Sequence, residues 1–382
     1  MGFVIVWQPG CPTLHGKKGK KKVVMAIFRK KATVVTHAAP ATTRATTTPP
    51  AKPETPVPQI DPLLGDPDAY RFRSELDEGR WQDFHEFLTT ADSASVRSHY
   101  IFALTTDDGP QPWMDEWVAA RPESGLPLLF RGRAKTTWAW AARGGGRAST
   151  VKEDAWDVFH QRLVAADRDL AQSAAVDDGD PLPHVMGIWV AMGLSLGQQE
   201  VWRRFEEASR RDPLNLSACY AMIQATAKKW GGSNEAMLKF ARSVSARVPD
   251  GDSRHKMVPL AHIEQWLDTP KPAQLTYFQD EAVKSEIRTV ASRCVLSPLY
   301  SGGLVEPSDR NVFAFCFYLM RDYEAQLEQM RLIGDRITAA PWQYQGRPPG
   351  GKYVRAKERA LQAVAAVAAA ATEQPAPGRP SL

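Results

Sequence analysis

Between residues 63 and 342 the chain alternates short helical stretches with turn signals, and this rhythm constrains its fold more than any other feature. Phe72, Leu76, Phe84, Phe87 and Leu88 recur at three- and four-residue steps, as do Val185, Ile188, Trp189 and Met192, then Val201, Phe205 and Ala208. That spacing puts apolar side chains on one face of a helix. Between such stretches stand Gly79, Gly125, Gly144–Gly146, Asp178-Gly179-Asp180-Pro181, Gly197, Asp212-Pro213, Gly231-Gly232 and Pro249-Asp250-Gly251. Period-two alternation is scarce, no Asn-Gly occurs, and none of the Asp-Gly pairs (Asp108-Gly109, Asp178-Gly179, Asp250-Gly251) joins two alternating runs, so strands are not expected. Many helices of roughly 10–18 residues joined by tight turns make an all-α body.

The ends of the chain read differently. Residues 1–60 carry ten basic residues and one acid, Glu54, for a charge of +9, although the whole chain is only +5. The body is therefore mildly acidic, which disfavours a global field for nucleic acid. The segment Lys17–Lys22 follows a short apolar run instead of preceding it, the reverse of a secretory signal. Met25-Ala26-Ile27-Phe28 reads like an ordinary start, so translation is expected from Met25 rather than Met1, with a polybasic arm for nucleic acid or anionic lipid as the rival reading. Residues 32–62 are rich in Thr, Pro and Ala and predict a disordered, partly polyproline-like tail. Domain bounds of 1–62, 63–342 and 343–382 follow. In the last, Pro348-Pro349-Gly350-Gly351 is expected to break the chain before an Ala-rich helix over Lys352–Thr372 and a loose C-terminus. No apolar run approaches the roughly 20 residues that a spanning helix needs. The four cysteines are too few for a disulfide scaffold. A soluble, cytoplasmic protein is the expectation.

Some helical units resemble one another. Gly197, Val201, Phe205, Ala208 and Pro213 are echoed by Gly232, Ala236, Phe240, Ser243 and Pro249, and Phe205 and Phe240 lie 35 residues apart. The period of a tetratricopeptide helix pair is about 34 residues. The helices over Glu200–Arg211 and Ser233–Ala246 resemble the second helix of that repeat. Trp189 and Gln224, however, stand where its first helix wants a small residue. The resemblance implies a tetratricopeptide-like α-solenoid of degenerate antiparallel helix pairs. Lys229-Trp230-Gly231-Gly232-Ser233, with Phe240-Ala241-Arg242 and the later Ile333–Thr338 and Pro341-Trp342, is similar to a bacterial helical family of unknown function, over roughly residues 69–342. That similarity implies a helical-repeat fold and no activity. Locally, Trp230, Gly231, Gly232 and Ser233 read as turn chemistry: glycines for positive φ, then a serine N-cap.

The familiar catalytic patterns are missing or out of context. No P-loop or H-E-x-x-H occurs, and the G-x-S-x-G string Gly193-Leu194-Ser195-Leu196-Gly197 stands between two helical stretches, not on the strand-to-helix elbow that this motif requires. His262-Ile263-Glu264 matches half of a zinc deaminase signature without its cysteines. Cys219, Cys294 and Cys316 are isolated among apolar residues and read as buried thiols. Neither metal nor cofactor is expected, although the acidic turn Asp177–Asp180 offers a weak cation site as an alternative.

One constellation stands apart. No acid occurs between Glu123 and Glu153, while Arg131, Arg133, Lys135, Arg143, Arg147, Trp138 and Trp140 all do. Arg131, Arg133, Lys135, Trp140, Arg143 and Arg147 are candidates for gripping an anionic or aromatic partner. The structural alternative makes Leu128, Leu129, Ala134, Trp138 and Ala141–Ala142 an apolar stripe with the arginines on the solvated face, Trp138 buried and Trp140 partly exposed.

The expectation is a non-catalytic interaction protein that takes a protein or peptide in a helical-repeat groove. Binding of an anionic ligand or nucleic acid through residues 131–152 is one alternative. An enzyme of unrecognised type, using His99, His160 or His262, is another.

Overall fold

The computed structural model describes residues 57–145, 150–345 and 348–372. The expectations for the N-terminal tail, for Arg147 and for the extreme C-terminus lie outside the described residues. Among those residues the secondary structure is entirely helical, with fifteen α-helices and short 3-10 turns. The first six are α1 (Pro67–Asp77), α2 (Gln82–Thr90), α3 (Ala94–Leu104), α4 (Pro112–Ala120), α5 (Leu126–Arg143) and α6 (Glu153–Val176). The middle five are α7 (Leu182–Gly193), α8 (Gln198–Arg211), α9 (Leu216–Ala225), α10 (Asn234–Ala246) and α11 (Met257–Asp268). The last four are α12 (Glu281–Arg293), α13 (Glu306–Met320), α14 (Tyr323–Ile333) and α15 (Pro349–Thr372). No described helix is long and apolar enough to cross a membrane.

Side-chain caps set several helix starts. Asp66, Ser93, Asn215, Ser233 and Asp280 each accept a hydrogen bond from a first-turn amide of the helix that follows, satisfying donors that have no partner inside the helix. The residue before α15 is not a break of the expected kind. Pro349 opens that helix, where a missing N–H costs nothing, and Gly350 and Gly351 lie inside it.

Packing follows a simple order from α5 onward. Each helix touches the next, and alternate helices also form a row, α5 on α7, α7 on α9, α9 on α11 and α11 on α13. The α5–α6 pair is the most extensive contact. Gly132 permits it, since a Cβ there would press into the Leu170 side chain on α6. The N-terminal helices then fold across this row. α3 touches α5 and α9, Ser98 Oγ lies 2.9 Å from Ser217 Oγ, and Arg97 reaches Asp180 at 3.2 Å. At the other end α15 docks on α14. Tyr353 donates to the Met330 carbonyl at 3.1 Å and the Gln326 amide to the Ala356 carbonyl at 2.9 Å. Only the first half of α15 is buried this way, through Tyr353, Ala356 and Ala360, while Leu361 and Val367 are exposed.

The aromatic residues are mostly interior. Trp81, Trp117, Trp140, Trp189, Trp266 and Trp342 are buried. Around Trp117 the rings of Trp81, Phe84, Trp113 and Phe130 lie within 6.2 Å centroid to centroid, a separation at which ring pairs still attract. Cys219, Cys294 and Cys316 are buried and unbridged. Burial pushes the Cys219 thiol up to about 12 and the other two up as well, which removes their nucleophilic form near neutral pH.

Candidate functional site

The basic stretch on α5 is folded into the protein to a degree its sequence does not reveal. Arg131 makes two hydrogen bonds to Asp169 on α6, at 2.8 and 2.9 Å, and a third to Asp115 at 2.6 Å. Lys135 reaches the same Asp169 at 2.7 Å. One buried carboxylate therefore neutralises two of the candidate cations. Arg133 and Arg143 are buried, at 3% and 7% exposure, so they do not form the solvated face that the helical stripe suggests. Arg133 lies 4.2 Å from the centroid of the Phe102 ring, and burial lowers its guanidinium to about 9. The two tryptophans are reversed from expectation. Trp140 is buried against Phe159, while Trp138 is half-exposed and covered by the Arg162 guanidinium at 3.3 Å. The reason is the rotation of α5, which turns Trp140 and Arg143 inward and leaves Ala141 in solvent.

Arg143 joins two sequence features that have no visible link in the chain. It lies 5.7 Å from the Trp140 ring, 5.3 Å from Trp156 and 5.5 Å from Trp230. The glycine turn that follows Trp230 is tightly specified. Gly231 has φ +84°, and a Cβ on Gly232 would strike the Thr226 carbonyl. Ser233 then donates its amide to that carbonyl at 3.1 Å and accepts from Ala236 N at 3.0 Å. Gln198 ties the turn to α8 by donating to the carbonyls of Ala225 and Trp230. Aromatic rings attract a cation held over their faces. This arrangement is a filled cage, with Arg143 as the cation inside it.

The half-signature His262-x-Glu264 divides between two unrelated sets of partners. Glu264 accepts from Gln224 and from Lys229, both at 2.7 Å. His262 instead contacts the Tyr277 hydroxyl through Nδ1 at 2.7 Å and Glu286 through Nε2 at 3.1 Å. Arg242 grips both oxygens of Glu286 at 2.7 Å. Hydrogen bonds from Arg242 and His262 hold the Glu286 carboxyl down to about 2, and burial pushes the Tyr277 phenol up. The Glu286 carboxylate can only accept, so His262 Nε2 is the donor to it. His99 pairs with Asp66, and His160 lies exposed beside Trp156 on α6, so the three histidines of the enzymatic reading belong to different sites. Among the described residues no group of three or more His, Cys, Asp or Glu is placed to hold a metal. The carboxylates of the Asp177–Asp180 turn are taken by backbone amides and by Arg97 and Arg211.

A surface cleft of about 510 Å³ opens beside this network. Asn234, Glu235, Leu238, Lys239 and Arg242 line it from α10, and Gln265 from α11. Leu238 supplies a buried apolar wall. The Gln265 Oε1 atom is inaccessible to water and has no hydrogen-bond partner among the described residues. Sequence spacing points to Arg242 only through the Phe240-Ala241-Arg242 segment. Tyr277 and Glu286 carry no local pattern, because they meet His262 only when α11, α12 and the turn between them pack.

Compared with protein-family models, curated proteins and solved structures, the chain matches none.

Proposed function

We propose that this chain is a tetratricopeptide-like α-solenoid, and that it acts as a non-catalytic interaction protein taking a peptide segment of a partner. The row of alternate helices from α5 to α13 supports the repeat architecture. So does the contact between Phe205 and Phe240, whose rings meet edge to face at 5.4 Å on α8 and α10.

The observation that carries the functional reading is the cleft along α10. An apolar wall at Leu238 beside polar groups of both signs suits an extended peptide, which presents side chains and backbone amides together. The alternative through residues 131–152 has less behind it, since Asp169 occupies Arg131 and Lys135, and nucleic-acid affinity rests on cations that reach phosphate.

Selection of random dodecapeptides against the full chain, followed by fluorescence anisotropy of the recovered sequences, tests this. Asn234→Trp narrows the cleft at a half-exposed position. It is expected to weaken the recovered peptides at least tenfold, with the circular dichroism spectrum unchanged. Equal binding by this variant would remove the cleft from consideration.

A further inference from the structure

The cleft has an ordered cationic wall, and its construction extends the reading above. Arg242 is half-exposed, yet it is fixed from behind by three successive hydrogen-bonded groups. Glu286 on α12 takes its Nε and Nη2 groups. His262 on α11, only 3% exposed at its side chain, contacts Glu286. Tyr277, in the turn between those helices, contacts His262. An isolated exposed Arg–Glu pair contributes little to stability and leaves the guanidinium free to rotate. Anchoring through a buried imidazole holds the plane of the guanidinium, and Nη1 makes no hydrogen bond among the described residues. One turn away, Lys239 is exposed and has no ion-pair partner among the described residues, although Glu235 stands four residues before it on the same helix. Both cations line the same cleft.

We propose that the cleft recognises an acidic side chain of the bound peptide, with its carboxylate placed between Arg242 Nη1 and the Lys239 ammonium. The inference rests on the peptide-binding reading and names the chemistry that reading leaves open. A fixed guanidinium with spare N–H donors suits a carboxylate, whose oxygens accept in the same plane. Loss of a carboxylate's hydration is offset when donors are already oriented. Glu235, which also lines the cleft and is exposed, opposes the incoming charge and tempers affinity. The contribution of Tyr277 and His262 is positioning: they orient Glu286, which orients Arg242.

The test uses the full chain and an array of random dodecapeptides. Peptides bound by the wild type are expected to be enriched in Asp and Glu. Lys239→Glu changes an exposed side chain and is expected to leave the circular dichroism spectrum unchanged. It is expected to lower capture of the acidic peptides at least tenfold, while Glu235→Gln raises it about threefold. Arg242→Gln should repeat the loss. Should Arg242→Gln unfold, the Lys239→Glu result decides alone. Bound peptides with no excess of acids, or acidic peptides bound equally by Lys239→Glu, would overturn this inference and leave the peptide-binding reading standing. Failure of the wild type to capture any peptide would overturn both.

Discussion

Trp140 and Trp230 meet edge to face, with ring centroids 5.3 Å apart and planes at 89°. One belongs to the cationic stretch of α5 and the other to the glycine turn before α10. The two most distinctive segments of the sequence are thus halves of one contact, closed by Arg143.

Variants in the turn should rank by the contact each one removes. Gly232→Ala forces a Cβ onto the Thr226 carbonyl and is expected to cost about 2–3 kcal/mol. Trp230→Ala removes a half-buried ring from Trp140 and Arg143, for about 2 kcal/mol. Ser233→Ala loses the cap to Ala236, for about 1 kcal/mol. Urea unfolding at neutral pH measures all three. A Gly232→Ala protein as stable as wild type would contradict the close approach.

Asp169→Asn should both destabilise the protein and free its cations. Arg131 and Lys135 share that carboxylate, and removing one partner of a largely buried charge cluster is expected to cost about 2–4 kcal/mol. The folded variant should also bind heparin more strongly than wild type, because Lys135 is left without its partner. Unchanged retention would mean that Asp169 does not screen these side chains.

Stability should fall with acid in two windows. Burial lowers the His99 imidazole to about 4 from 6.5. Between those values the unfolded chain binds a proton that the folded one does not, so stability declines as pH drops from 6.5 through 4. Burial lowers His85, His184 and His255 in the same direction. Glu286 is held at about 2 instead of 4.5 by Arg242 and His262. Its contribution is complete above 4.5 and is lost as pH falls toward 2. His99→Gln should shallow the upper slope, by on the order of 1–3 kcal/mol across the window, and Glu286→Gln the lower one. Denaturant midpoints measured from pH 7.5 to 3 would show either slope unchanged if the assignment is mistaken.

Much of the fold is legible in local sequence. At Gly231–Ser233 the N-cap falls on Ser233 and the positive φ on Gly231, as adjacent residues dictate, whereas Gly232, expected to share the positive φ, is required instead by the close approach of its backbone to the Thr226 carbonyl. The helix of Glu200–Arg211 matches α8 within two residues. The start of α15 is less legible, since a proline followed by two glycines reads as a break when it is a helix N-terminus. The candidate site on α5 is where local reasoning falls short. A helical stripe says that one face is buried, but α5 is enclosed on more than one side, by α2, α3, α4, α6 and α7. Arg133 and Arg143 then share the interior with Trp140.

By itself, the sequence determined that this body is helical, where many of its turns fall and that Ser233 caps the helix after the glycine turn, since each of these depends on residues within one or two helical turns. Tertiary structure alone decided the fate of the charges. Asp169 neutralises Arg131 and Lys135 from another helix, and Trp230 closes over Arg143 from a distant turn. Arg242 is held at a cleft by groups on two further helices. Charge–charge and cation–ring contacts act over a few ångströms of space, and the distance along the chain carries no record of them.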